Sequence, residues 1–158
     1  MHLKTAGLLN RIFRAKDLTL SVAESCTGGL ISHYLTALPG ASRFLEAGIV
    51  CYSNASKLRL IKVPAKVLSL HGAVSGETAR SMAEGIRKIT KTDVSVSTTG
   101  NLGPDVLEDK PKGLVYVAVS TKNGTKVRKL LLKGTREKIK DQAALAALEF
   151  MAEVICND

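Results

Sequence analysis

The stretch from Leu18 to Leu38 constrains the fold more than any other part of the chain. Leu18, Leu20 and Val22 alternate with Thr19, Ser21 and Ala23, which is the period of a strand. The polar stretch Glu24 to Gly29 then turns the chain on two adjacent glycines. A second apolar segment follows from Leu30 to Leu38, until Pro39 and Gly40 stop it. Strand, tight turn and helix in this order argue for a layered α/β domain.

The rest of the sequence extends that pattern. Leu3, Leu8, Leu9, Ile12 and Phe13 recur at helical spacing, so residues 3–15 are predicted to form an amphipathic helix ended by Asp17. Residues 47–52 read as a buried strand, and Ser53 or Asn54 can cap a short helix through Ile61. After a loop around 63–71, Ser75 can cap a helix that places Ala79, Met82, Ala83, Ile86 and Ile89 on one face and ends at Asp93. Val94 and Val96 begin another strand, residues 98–112 form a glycine and proline loop, and 114–119 read as a strand covered on both faces. Asn123-Gly124 signals a hairpin that returns 126–132 antiparallel. Thr135 is a plausible cap for a closing helix carrying Ile139, Leu145, Leu148, Ala152 and Ile155. With no repeat and no linker, residues 1–158 are expected to form a single three-layer α/β/α domain with a mixed sheet.

A chain of 158 residues can bury roughly 68–70% of its unfolded surface, enough to fold without disulfides or a structural metal. Its three cysteines, Cys26, Cys51 and Cys156, are odd in number and form no C-x-x-C pair. No metal-ligand spacing joins them to His2, His33 or His71, so neither a metal nor a cofactor is expected, and a reduced cytoplasmic setting is. Apolar runs are far shorter than the ~20 residues of a membrane helix, and the N-terminus lacks a signal-peptide apolar region. Lysine and arginine exceed the acids by 23 to 14, a net +9 that suits an anionic partner. With no tryptophan, few aromatics and no long basic run, a small phosphorylated ligand is favoured over nucleic acid.

Three segments carry residues of chemical interest. In Ala23-Glu24-Ser25-Cys26-Thr27-Gly28-Gly29, Ser25 or Cys26 can serve as nucleophile, and free N–H groups at the following helix start can bind an anion or an oxyanion. The alternative is that Ser25 and Thr27 only satisfy the turn and Cys26 fills space. In Tyr52-Ser53-Asn54-Ala55-Ser56-Lys57, a lysine held in an apolar or electropositive site can lose its charge and act as base, although most lysines are solvated surface charges. Tyr52 can orient a proton or simply pack. Residues 98–104 offer hydroxyl and backbone donors for a phosphate or sugar, or make an ordinary turn. Arg136, at a predicted helix start, can grip a phosphate or sit on the surface. His71 reads as structural.

Taken together, A-E-S-C-T-G-G at 23–29, L-P-G-A-S at 38–42, Y-S-N-x-x-K at 52–57, H-G-A-V-S at 71–75 and T-G-x-x-G-P at 99–104 resemble the CinA C-terminal domain family, also called nicotinamide-nucleotide amidases. The resemblance spans nearly the whole chain. It implies a three-layer α/β fold and metal-independent hydrolysis of the carboxamide of nicotinamide mononucleotide to nicotinic acid mononucleotide and ammonia. By resemblance, Ser25 is the nucleophile, Lys57 the general base and Tyr52 a neighbouring hydroxyl. Thr27, Gly28, Gly29, Thr99, Gly100 and Arg136 are expected at the substrate, and a homo-oligomer is plausible. Relatives commonly read T-G-I-A-G-P-x-G-G and then K-P-V-G. Here Asn101-Leu102, Asp105-Val106-Leu107 and Lys110-Pro111-Lys112-Gly113 stand instead, bringing side chains and an acid beside the expected pocket. That departure, with the net charge, motivates the alternative of a non-catalytic nucleotide- or nucleic-acid-binding protein.

Overall fold

The computed structural model describes residues 1–158. Helix α1 (His2–Lys16) leads into strand β1 (Leu20–Glu24), helix α2 (Leu30–Thr36), a 3-10 turn (Ala41–Arg43) and strand β2 (Leu45–Val50). Three helices follow, α3 (Asn54–Ile61), α4 (Ala65–His71) and α5 (Gly76–Thr90). Strand β3 (Val94–Gly100), the hairpin β4 (Leu114–Thr121) and β5 (Gly124–Leu131), and the closing helix α6 (Arg136–Asn157) complete the chain.

The five strands lie in the order β2-β1-β3-β4-β5. The first three are mutually parallel and the hairpin runs antiparallel to β3, so the sheet is mixed and open. Helices α1, α2 and α6 cover one face over a core that includes Leu9, Phe13, Leu20, Ile31, Val96, Val117 and Leu148. On the other face α5 lies across β3 and β4, burying Ala79, Ala83 and Ala118, while Met82 and Ile86 pack with Ile61 and Val63. This is the three-layer α/β/α arrangement expected of alternating strands and helices. No helix is long and apolar enough to cross a membrane.

Several expectations are corrected in detail. The strand placed at 47–52 spans Leu45–Val50 and is an edge strand whose residues alternate between half-buried and exposed. Only its neighbour β1 is buried throughout. The segment 63–71 contains α4, which starts after Pro64 and buries no residue fully, so it lacks the apolar periodicity that identifies a helix. Strand β3 continues to Gly100, which makes Thr98 and Thr99 strand residues. The hairpin loop is Lys122-Asn123, one residue earlier than the dipeptide rule placed it, because Gly124 supplies the positive φ (127°) as the first residue of β5. Leu3 and Leu8 of α1 and Ile89 of α5 remain exposed.

Candidate active site

Because β1, β2 and β3 are parallel, their carboxyl ends share one edge of the sheet. The strand order reverses at β1, where open α/β sheets leave a crevice for ligands. Ser25 leaves β1 at that point, and its amide donates to the Thr98 carbonyl at 3.0 Å, tying the turn to β3. Gly28 (φ 59°) and Gly29 (φ 99°) complete the turn in a region that side chains disfavour.

What holds the turn is Glu24, whose side chain is wholly buried. One carboxylate oxygen accepts from the Thr27 hydroxyl (2.7 Å) and the Gly29 and Ile31 amides (3.0 and 3.1 Å). The other accepts from the Ser32 amide and hydroxyl (2.9 and 2.8 Å). The unpaired donors of the first turn of α2 are thus consumed by an internal anion. Gly28 donates to the Ser25 carbonyl. The helix-start N–H groups expected to bind an anion or an oxyanion are therefore already engaged, and the amides of the turn without a partner are those of Cys26 and Thr27.

Lys57 reaches the same point from α3. Ser53 caps that helix in a reciprocal capping box with Ser56, which places Lys57 in its first turn. The lysine Nζ lies 3.0 Å from Ser25 Oγ and 3.2 Å from the Tyr52 carbonyl oxygen, and the residue is only 1% exposed. Burial pushes its pKa below the ordinary lysine value. The positive end of α3 works in the same direction, since it disfavours an ammonium. Cys26 and Cys51 can oppose this only as thiolates, and burial pushes their pKa values up to about 12 and about 11. Burial thus holds the Cys26 thiol in its protonated form, which is the weakly nucleophilic one. Glu108 is the remaining charge that favours the protonated amine.

Ser25 and Lys57 line a cavity of about 470 Å³ together with Tyr52, Thr99, Gly100 and Arg136. Tyr52 is 60% exposed, and its hydroxyl accepts from Arg136 Nη2 at 2.9 Å; its carbonyl, not its hydroxyl, meets Lys57. Arg136 also donates to the Gly103 carbonyl at 2.6 Å and has no carboxylate partner, so its charge is available at the mouth. The buried Thr99 hydroxyl donates to the Ala73 carbonyl at 2.6 Å. Thr27, Gly28 and Gly29 do not line the cavity. Their work is to shape the turn, with the Thr27 hydroxyl bridging Glu24 and Thr98.

The sequence reading overlooked the anchoring roles of Glu24, Asn101 and Glu108. An acid ending an apolar strand directly before a helix start was the available signal for Glu24, since a buried charge needs dedicated partners. Asn101 staples the 101–112 loop, donating to the Leu107 and Lys110 carbonyls and accepting from the Leu107 amide, all at 3.1 Å. Asp105, Leu107 and Glu108 of that loop line the cavity. No group of three or more His, Cys, Asp or Glu side chains is arranged to hold a metal ion.

Comparison with known proteins places this geometry among relatives. Residues 3–155 match the model of the CinA C-terminal domain. A CinA-like protein of Syntrophotalea carbinolica is 45% identical over 153 residues, covering 96% of this chain and 37% of the relative. A CinA-like protein of Gemmatimonas aurantiaca is 45% identical over 144 residues, 90% of this chain and 34% of the relative. The chain thus spans about a third of the length of the curated relatives it matches. A CinA superfamily protein of Klebsiella pneumoniae superposes with TM-score 0.96 at 27% identity over 100% of this chain and 99% of that one. The competence/damage inducible protein CihA of Agrobacterium tumefaciens superposes with TM-score 0.93 at 33% identity, over 97% and 94%.

Proposed function

The chain belongs to the CinA C-terminal domain family, and from that premise we propose that it hydrolyses the carboxamide of nicotinamide mononucleotide, releasing nicotinic acid mononucleotide and ammonia. The observation that carries the proposal is the 3.0 Å approach of a buried lysine amine to the hydroxyl of Ser25 inside a cavity of ligand size. The resemblance of the five motifs supplies the substrate; the geometry supplies the chemistry.

In this mechanism the neutral Lys57 accepts the Ser25 proton as Oγ attacks the carboxamide carbon. The tetrahedral oxyanion is met by the unoccupied Cys26 amide beside the nucleophile. Lys57, now an ammonium, returns the proton to the leaving nitrogen, ammonia departs, and an acyl ester on Ser25 remains. Lys57 then takes a proton from water as the water attacks the ester, and hands that proton to the departing Ser25 Oγ. The serine and the neutral lysine are thereby restored, and the acid product leaves and ionises to the carboxylate. The Tyr52 carbonyl, at 3.2 Å from Nζ, steadies the ammonium between steps. Arg136 provides a positive charge at the mouth for the nucleotide phosphate, and Tyr52 orients it.

Ammonia release from nicotinamide mononucleotide is the test. The parent chain turns over and Ser25→Ala does not, while its circular dichroism and thermal midpoint stay near the parent's. Full activity in Ser25→Ala would remove this mechanism. A binding-only reading is favoured by one observation, the presence of Asp105 and Glu108 in the same cavity. It requires that the parent bind the nucleotide without ammonia release and that Ser25→Ala bind equally well.

A further inference from the structure

The cavity wall formed by Ala73, Val74 and Glu108 holds a second cluster of donors that the amide chemistry does not use. The amides of Ala73 and Val74, consecutive residues between α4 and α5, both point at the carboxylate of Glu108. Lys110 Nζ lies 2.8 Å from the same carboxylate. It is fixed there by donating to the carbonyls of Val74 (2.7 Å) and His71 (2.8 Å). Two adjacent peptide N–H groups and one ammonium converging on a point form the donor set of an oxoanion site. Here the anion is the chain's own.

Two further features show that the chain is built around this contact. Gly72 (φ 78°) abuts it, since a Cβ at that position would stand 2.2 Å from a Glu108 carboxylate oxygen, the movable end of that side chain. Glu108 and Asp109 both adopt left-handed backbone, φ 61° and 52°, two consecutive non-glycine residues in a region that costs roughly 1–2 kcal/mol each. Strain of that kind concentrates at functional sites. Partial burial would raise the Glu108 pKa, but Lys110 and the two amides outweigh it and hold the group below the ordinary glutamate value. Ala73, Val74 and Glu108 all line the cavity that contains Ser25.

We propose that the Ala73–Val74–Lys110 cradle is an oxoanion subsite of this cavity and that Glu108 is its resident, exchangeable occupant. A phosphate monoester or carboxylate on a ligand takes the cradle by swinging Glu108 out and carrying the 101–112 loop with it. Occupancy by Glu108 lowers the apparent affinity for any external anion by the fraction of time the cradle is free. The cradle is distinct from Arg136, to which the function proposed above gives the nucleotide phosphate, and its existence does not rest on that reading.

Isothermal titration with inorganic phosphate, and in parallel with acetate, tests the subsite directly on the full chain. Glu108→Ala is expected to bind phosphate at least about tenfold tighter than the parent, which corresponds to about 1.4 kcal/mol. Glu108→Ala/Lys110→Ala should lose that gain. Glu108→Gln, which keeps the side-chain length should the alanine variant fold poorly, shows the same direction with a smaller change. A gain for phosphate alone assigns the subsite to phosphate monoesters, and a gain for acetate as well assigns it to oxoanions generally. Phosphate affinity that is unchanged in both Glu108 variants, or a gain that survives loss of Lys110, overturns the proposal. Ammonia release by the parent is measured alongside. Its absence would sink the amidase reading without touching the phosphate titration, and its presence with an unmoved titration would sink the subsite alone.

Discussion

Replacing Glu24 by glutamine separates the anion from the shape of the turn that carries Ser25. The carboxylate accepts five hydrogen bonds, three on one oxygen and two on the other. A glutamine can keep its carbonyl on the side of Thr27, Gly29 and Ile31, which sets its NH₂ group against the Ser32 amide and hydroxyl. The hydroxyl can rotate to accept, but the Ser32 amide and one glutamine N–H are then left without partners in a buried site. Each stranded buried donor costs about 1–3 kcal/mol, so the variant with two of them should lose about 2–6 kcal/mol. In a domain of this size, at about 2–4 °C per kcal/mol, that lowers the thermal midpoint by roughly 4–24 °C. The chain has no tryptophan, so urea unfolding is best followed by far-ultraviolet circular dichroism. The variant that does fold should show a lower kcat with a smaller change in KM, because the turn positions the nucleophile and not the nucleotide. A stability within about 0.5 kcal/mol of the parent would refute the reasoning, since surface substitutions fall in that range.

Lys57→Met should abolish turnover while preserving or raising stability at neutral pH by about 1–3 kcal/mol, read from urea midpoints, because it removes an amine from an apolar site. The sign follows from the lowered pKa: between its folded value and 10.5 the unfolded chain holds the proton more tightly, so stability rises with pH across that window, and the methionine variant loses this rise. For the same reason kcat/KM of the parent should climb with pH toward the folded pKa of Lys57, a limb measured by ammonia release in a pH series. Thiol titration of the native chain should find one fast group, Cys156, and three after denaturation, since Cys26 and Cys51 are buried with raised pKa values. Cys26→Ala should retain ammonia release if Ser25 is the nucleophile as proposed, measured by the same assay.

The fold was legible wherever burial imposed a period or an end carried its own chemistry. Ser75 and Thr135 cap α5 and α6 as their positions suggested, and the buried face of α5 is the one its apolar spacing predicted, apart from Ile89. Helix α4 escaped because no residue in it is fully buried, so its sequence was never under the pressure that writes a pattern. At the site, Ser25 and Lys57 could be nominated from residue type and neighbourhood, but their 3.0 Å separation depends on β1 and β2 pairing and is written in neither segment. Glu24 and Glu108 were hidden for a related reason. Each acts largely through backbone amides, which every residue has, so residue type could mark only the Thr27 and Ser32 hydroxyls at Glu24 and the Lys110 ammonium at Glu108.

The parallel half of the sheet sets the order in which the molecule becomes competent. The hairpin β4–β5 closes across two residues and can form within microseconds, whereas β1 meets β3 through pairs such as Leu20 with Val94, far apart in the chain. Ser25 is tethered to Thr98 across that same seam and needs α3 from a third segment to receive Lys57. Closing those loops costs entropy before any contact rewards it. In a refolding experiment, helical signal and hairpin therefore return first and the nucleophile acquires its base last. On the proposed function, ammonia release during refolding should therefore lag the recovery of far-ultraviolet circular dichroism, and the two recovering together would contradict this order.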